Sequence, residues 1–389
     1  MLARLQRAGA YASGFGRLTL GLFPWAPSSG PVSASAITPA LLTKALGDSF
    51  PGGRIRSFEA VDATSGTTNR HRLRLDWDGH GVGLPETIFL KSTALVGRNR
   101  ALSAVLRMTA NELAFYRHVR DEVPLVAPKA YGMVDGRGGR FLLLLEDLGA
   151  GGGVTPRLAD ELELAHFEAL IDALALLHAT FWDSPRFGSH LRWVKEQTHR
   201  PGYPMLSALF KACRRTVLRS DRPIPERVRR LTRLLSKERW TLARLFEQGP
   251  RTFVHGDTHA GNSFARPDGS AGFLDWQVVH QAHGVRDVAY MLGVSMSTEL
   301  RRSHERSLLS RYVTRLADRG VQDLQETTAW ELYRIFAVDA WDAVVTTAAF
   351  PGLQPPENVE RAFARGVQAV DDLDSLAAVE AALARGSLV

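Results

Sequence analysis

Between Arg251 and Tyr290 the chain reads RTFVHGDTHAGNSFARPDGSAGFLDWQVVHQAHGVRDVAY, and no other stretch constrains the fold so tightly. His255-Gly256-Asp257 is followed, five positions after the aspartate, by Asn262, and later by Asp275-Trp276. Between them apolar residues alternate with turn formers, the pattern of a loop that runs into a β-hairpin. Two carboxylates and a carboxamide at fixed spacing are hard oxygen donors of the kind that suit Mg2+. Gly256 and Gly261 let the backbone pass close to them. An ordinary polar loop with a hairpin is the plainer reading, and it requires all of these matches to be accidental.

Asp257 and Asn262 have the spacing of the H-R-D-x-x-x-x-N loop of phosphoryl transfer, in which the aspartate receives a hydroxyl proton and the asparagine holds a magnesium ion. Asp275 then takes the place of the DFG aspartate. Moving a γ-phosphoryl group asks little covalent work of a protein. It asks instead that a nucleophilic oxygen, a phosphate and the metal be held in line.

The stretch resembles the aminoglycoside phosphotransferase and choline kinase-like superfamily, whose signature runs HGDxHxGN, a short hairpin, then [IV]D[WF]. Here the corresponding pieces are HGDTHAGN, PDGSAGF and LDWQ, with Gly284 and Asp287 following. The resemblance implies an α+β, bilobal protein-kinase-like fold, with a small antiparallel β N-lobe and a larger helical C-lobe. It implies an ATP-dependent O-phosphotransferase whose base is Asp257, whose Mg2+ ligands are Asn262 and Asp275, and whose acceptor is a small-molecule hydroxyl. His255 and His259 then shape the loop, and Asp287 steadies it through hydrogen bonds; a helix N-cap is an equally physical role for Asp287. Gln277 in LDWQ leans toward the ecdysteroid kinase-like and uncharacterised bacterial branches. A nucleotide-binding scaffold or regulator of the same fold, without turnover, is the alternative function.

Composition narrows the field. With 389 residues, 45% of them hydrophobic, the chain has material for a large core and for two or three domain-sized units. The net charge of +7 comes from arginines spread along the chain, without the dense basic run of a nucleic-acid groove. Nucleotide is thus an expected partner and nucleic acid is not. A single cysteine, Cys213, cannot form an internal disulfide, which fits a reducing, cytoplasmic setting. No Walker A loop, GxGxxG, HExxH, GxSxG or paired CxxC is present.

In chain order, residues 1–36 form an extension with three arginines and no acid. Its apolar run, Leu18 to Trp25, falls short of the roughly twenty residues a membrane span needs, so no integral insertion is expected; a targeting or membrane-surface role stays open. Residues 37–148 read as the nucleotide-binding N-lobe and 149–389 as the C-lobe. Thr38 caps a short helix with Pro39 at its first position. Two strands then flank Ser65, Gly66 and Thr67, which by resemblance lie over the nucleotide phosphates; a plain hairpin turn would look the same.

Lys91 closes the apolar strand ETIFLKSTA and must reach either water or an anion. By resemblance it contacts the α and β phosphates with Glu112 of TANELAFYRHV as companion; an edge-strand lysine and a solvated glutamate are the alternatives. FLLLLEDLG then reads as a strand stopping at a hinge. Backbone there, at Glu146 and Leu148, is available for adenine. Residues 155–250 are helical throughout, with His178 a core or capping residue and PERVRRLTRLLSKERWTLARLFEQG a single helix. Farther on, Trp330, Tyr333, Asp339, Trp341 and Asp342 either line an acceptor pocket or belong to the core.

Overall fold

The computed structural model describes residues 37–65, 68–78, 83–93, 103, 106–124, 126–136, 140–200, 202–350 and 352–389. The extension 1–36, Gly66 and Thr67 lie outside the described residues. The chain divides into two compact units between Val154 and Thr155.

In the first unit, helix α1 (Pro39–Leu46) starts where Thr38, in extended conformation, accepts the Leu41 N–H at 3.2 Å. Strands β1 (Arg54–Ser65), β2 (Thr68–Asp78), β3 (Thr87–Thr93), β4 (Ala130–Asp135) and β5 (Phe141–Glu146) make one antiparallel sheet in the order β1-β2-β3-β5-β4. Alternation along the strands puts Leu73, Leu75, Ile88, Leu90, Leu142 and Leu144 on one face, where Leu42 and Leu46 of α1 complete the core. Helix α2 (Met108–His118) carries Leu113, Phe115 and Tyr116 inward.

Lys91 does not end its strand, as the sequence suggests it would. β3 runs on through Ser92 and Thr93, which keep pairing with Asn69 and Thr68, and it lies between β2 and β5. Lys91 is therefore interior, and the edge-strand alternative falls.

The second unit is mainly helical: α3 (Leu164–Phe181), α4 (Tyr203–Leu218), α5 (Glu226–Lys237), α6 (Arg239–Leu245), α7 (Val285–Ser295), α8 (Thr298–Ala317), α9 (Glu326–Ala349), α10 (Pro356–Asp372) and α11 (Ser375–Arg385). Strands β6 (Thr252–Val254) and β9 (His280–Ala282) pair with each other, as do β7 (Ser263–Ala265) and β8 (Ala271–Phe273). The segment expected as one helix after Pro225 is two, α5 and α6, parted at Glu238. Thr232 and Ser236 return their hydroxyls to carbonyls one turn back, at 2.7 and 3.0 Å, which bends a helix near its end.

Among the described residues α3 alone has the length and apolarity to cross a membrane. Its Leu170, Ile171, Leu174 and Leu177 are instead buried, and it packs against α8. In α9, Tyr333 and Trp341 are core residues: the Tyr333 hydroxyl donates to Glu305 at 3.0 Å and the Trp341 indole to Thr232 at 2.9 Å. Trp330 lies under the Arg306 guanidinium at 3.7 Å. Tyr333 and Trp341 thus belong to the core and not to a pocket wall.

Candidate active site

The loop from His255 to Asn262 has little regular structure, so its backbone polar groups need partners from elsewhere. Asp287, in the first turn of α7, supplies them: its carboxylate accepts the His255 N–H at 2.7 Å and the Gly256 N–H at 2.9 Å. The Thr258 hydroxyl donates to the Asp287 carbonyl at 2.7 Å, and the Ser295 hydroxyl accepts the Ala260 N–H at 2.8 Å. Gly284, not Asp287, stands at the N-cap, so the capping alternative falls and loop support is the observed geometry.

His178, fully buried, lies with Nε2 3.3 Å from the Asp287 carboxylate and Nδ1 2.7 Å from the Tyr312 hydroxyl. Burial works against a charge on Asp287. The hydrogen bond of His178, and after it that of the Gly256 amide, outweigh it and hold the carboxyl below its ordinary range. Gly256 adopts φ +83°, and a Cβ there would stand 3.0 Å from the Val278 carbonyl and 3.1 Å from the His280 ring. Only glycine meets both conditions without strain.

Asp257 is held at both carboxylate oxygens. The Tyr290 hydroxyl donates to Oδ1 at 2.6 Å, and Asn262 Nδ2 donates to Oδ2 at 3.0 Å and to the Asp257 carbonyl at 3.0 Å. Burial, then the charge of Asp257, raises the Tyr290 phenol well above its usual range, so it remains a donor. His259 Nε2 lies 3.7 Å from the same carboxylate. Gly261 gives that ring room, since a Cβ there would be 3.2 Å from it.

His255 ties this loop to Asp275. Its Nδ1 accepts the Asp257 N–H at 3.2 Å and its Nε2 bonds the Leu274 carbonyl at 2.8 Å, so the proton belongs on Nε2. Burial depresses its basicity and keeps the ring neutral. Leu274 in turn donates its N–H to the Asn262 carbonyl at 2.7 Å. Asp275 follows in the left-handed region, φ +63°, a conformation that persists in a non-glycine residue where the neighbours fix it. Trp276 does so from the other side, fully buried with its indole donating to the Phe273 carbonyl at 3.1 Å and its ring 4.5 Å from that of His255. Asp257 and Asn262 are thus joined to His255 and Asp287 in one hydrogen-bonded group, and Asp275 directly follows Leu274, which bonds both Asn262 and His255.

In the first unit, Lys91 Nζ lies 2.6 Å from Glu112 Oε1, and both residues are buried, at 3% and 0% exposure. A bare cation is too costly at that depth, so the glutamate fixes it. Ser65 ends β1 opposite Asn69. Glu146 ends β5 and accepts the Lys129 N–H at 3.0 Å. Leu148 follows in a turn, its carbonyl committed to the N–H groups of Gly151 and Gly153 at 3.1 and 2.8 Å. Arg72 pairs with the intervening Asp147 at 3.0 Å.

Sequence reasoning passed over Tyr290, Tyr312 and Ser295. The signal for Tyr290 was its place one helical turn after Asp287, on the same face of α7. Asp339 and Asp342 do line a cavity, paired with Arg286 and Arg214.

The model of the phosphotransferase enzyme family matches residues 65–335, and the chain belongs to that family. Among solved structures it is similar to an ethanolamine kinase from Plasmodium vivax, at 11% identity and TM-score 0.50 over 82% of this chain and 82% of that one. A choline kinase from Streptococcus pneumoniae matches at 15% identity and TM-score 0.46, over 82% of this chain and 94% of the other. A spectinomycin phosphotransferase in complex with ADP and spectinomycin matches at 11% identity and TM-score 0.47, over 87% and 99%. At such identities the likeness is one of fold. No curated protein matches.

Proposed function

We propose that this protein is an ATP- and Mg2+-dependent O-phosphotransferase acting on a hydroxyl of a small-molecule acceptor. The observation that carries the reading is the Asn262 to Asp257 hydrogen bond at 3.0 Å. It commits the nitrogen side of the Asn262 amide to the base, so the oxygen is the side offered to a hard cation. Asp275 follows Leu274, which bonds Asn262 and His255, and with it the proposed donor set is all oxygen, as Mg2+ prefers. Bound there, the cation neutralises phosphate charge.

Asp257 receives the acceptor proton. A carboxylate has about four lone-pair sites, and Tyr290 and Asn262 occupy one on each oxygen, which leaves room for a hydroxyl donor. Their two bonds also hold the carboxylate plane in one orientation. Lys91, fixed by Glu112, supplies the cation for the nucleotide phosphates. Ser65, Gly66 and Thr67, of which the last two lie outside the described residues, and the backbone at Glu146 and Leu148 complete the proposed nucleotide contacts. The ADP complex of the similar spectinomycin phosphotransferase supports a nucleotide as donor.

The test is ATP consumption with Mg2+ over a panel of hydroxyl acceptors. Asp257→Ala should lower turnover on any accepted substrate by about 10² to 10⁴, the scale of a positioned base. Full turnover in that variant refutes the assignment. Tight ATP binding with no consumption across the panel indicates a nucleotide-binding scaffold instead.

A further inference from the structure

A cavity of about 60 Å3 in the second unit is lined by Arg214, Arg239 and Arg286 together with Asp339 and Asp342. Both aspartates are already matched. Arg214 Nε donates to Asp342 at 2.7 Å, and Arg286 Nε donates to Asp339 at 2.7 Å. Arg239 is the charge left over: its guanidinium lies 5.7 Å from the Trp240 ring, but among the described residues no carboxylate pairs with it, and its buried Nε has no hydrogen-bond partner. A second cation stands close by. Arg200 donates to Gln197 Oε1, a group of the cavity wall, at 3.1 Å and to the Val278 carbonyl at 3.3 Å, both neutral acceptors. Burial, then repulsion from Arg286, brings Arg200 down to about 10, so it stays charged at neutral pH.

The cavity adjoins the loop that carries Asp257. Arg286 Nη1 lies 3.2 Å from His280 Nε2, and the His280 ring lies 3.1 Å from the point where a Gly256 Cβ would stand. The Val278 carbonyl that accepts from Arg200 is 3.0 Å from that same point. Space of this size holds a few water molecules, hence a carboxylate or phosphoryl group and not a whole acceptor.

We infer that the acceptor is a hydroxy compound bearing an anionic group, carboxylate or phosphoryl, which Arg239 receives in this cavity, with Arg200 behind the Gln197 wall adding to the positive field, while its hydroxyl reaches Asp257. The inference rests on the phosphotransferase reading for the fate of the hydroxyl, and on the cavity alone for the anion. An unmatched, partly desolvated guanidinium is stabilised most by an anion with two oxygens. A cationic acceptor would meet uncompensated positive charge and be disfavoured.

Calorimetry on the full chain with glycerate and inorganic phosphate as probes, and glycerol as the uncharged control, tests the proposal. Both anions should bind and glycerol should not. Arg239→Met should weaken anion binding by at least about tenfold, and Arg239→Lys, which keeps the cation, by less. Phosphate binding undiminished in R239M, glycerol binding as well as glycerate, or no anion binding outside the nucleotide site overturns it. Phosphate binding that persists in D257A separates the two readings: full turnover in D257A sinks the transferase assignment and leaves the anion site standing. If the anion arm fails while D257A still abolishes turnover, only the acceptor class falls.

Discussion

Glu112 and Asp287 are both buried carboxylates that hold something else in place, and they do it under opposite conditions. Glu112 sits on a regular helix and fixes one side chain, Lys91, which a regular strand has already aimed. Asp287 also sits on a helix, but it fixes backbone, the N–H groups of His255 and Gly256, in a loop with no ladder to satisfy them. Where secondary structure supplies the geometry, one ion pair is enough to complete it. Where it does not, a carboxylate must stand in for the missing strand, and a relay of side chains such as His178 and Tyr312 must hold that carboxylate.

The two carboxylates can be measured against each other. Glu112→Ala leaves Lys91 buried without an anion and should cost the first unit about 3 to 5 kcal/mol in chemical denaturation. Asp287→Ala leaves two amide donors unmatched and should cost the second unit about 2 to 4 kcal/mol, with turnover falling as the loop loses its shape. A D287A enzyme with normal turnover would show that the loop needs no such support. If E112A proves as stable as the parent, the lysine has found water and the pair does not fix it.

Acid sharpens the contrast further. Burial, then Arg286 and Arg200, holds His280 well below its usual range, and burial, then His178, brings His283 down to about 3. The unfolded chain therefore takes up these protons first as pH falls. The second unit should be insensitive above about pH 6.5 and lose about 1.4 kcal/mol per pH unit for each histidine below it, continuing toward pH 3 for His283. A pH series of denaturation midpoints with flat stability between pH 6.5 and 5 contradicts this. The smallest effect belongs to Tyr290→Phe. Losing one hydrogen bond to a charged group is worth about 1.5 kcal/mol, so turnover should fall about tenfold with nucleotide binding unchanged. An unchanged turnover would mean that Asn262 orients Asp257 alone.

The residues that touch reactants in the proposed reaction were legible because their spacing is local: Asp257, Asn262 and Asp275 lie within one loop and hairpin. The Lys91 and Glu112 pair was legible by resemblance, and the structure brings the two together at 2.6 Å. What escaped was contact at long range. Nothing in the order of residues says that Tyr312 meets His178, 134 positions earlier, or that Trp341 meets Thr232, 109 positions earlier. For the same reason the aromatics of α9 read first as core and second as pocket, with nothing in the sequence to decide it. The break between α5 and α6 depends on which carbonyls Thr232 and Ser236 turn back to, and helical periodicity does not register that.

His255 has a further consequence. One neutral ring accepts from Asp257, the proposed base, and donates to the residue before Asp275. The two carboxylates on which the proposed chemistry depends are therefore registered to a common pivot, like two hands on one spindle. A substitution at Phe264 or Phe273, in the hairpin's buried face, should therefore lower turnover as well as stability, because the hairpin meets the Asp257 loop through that imidazole.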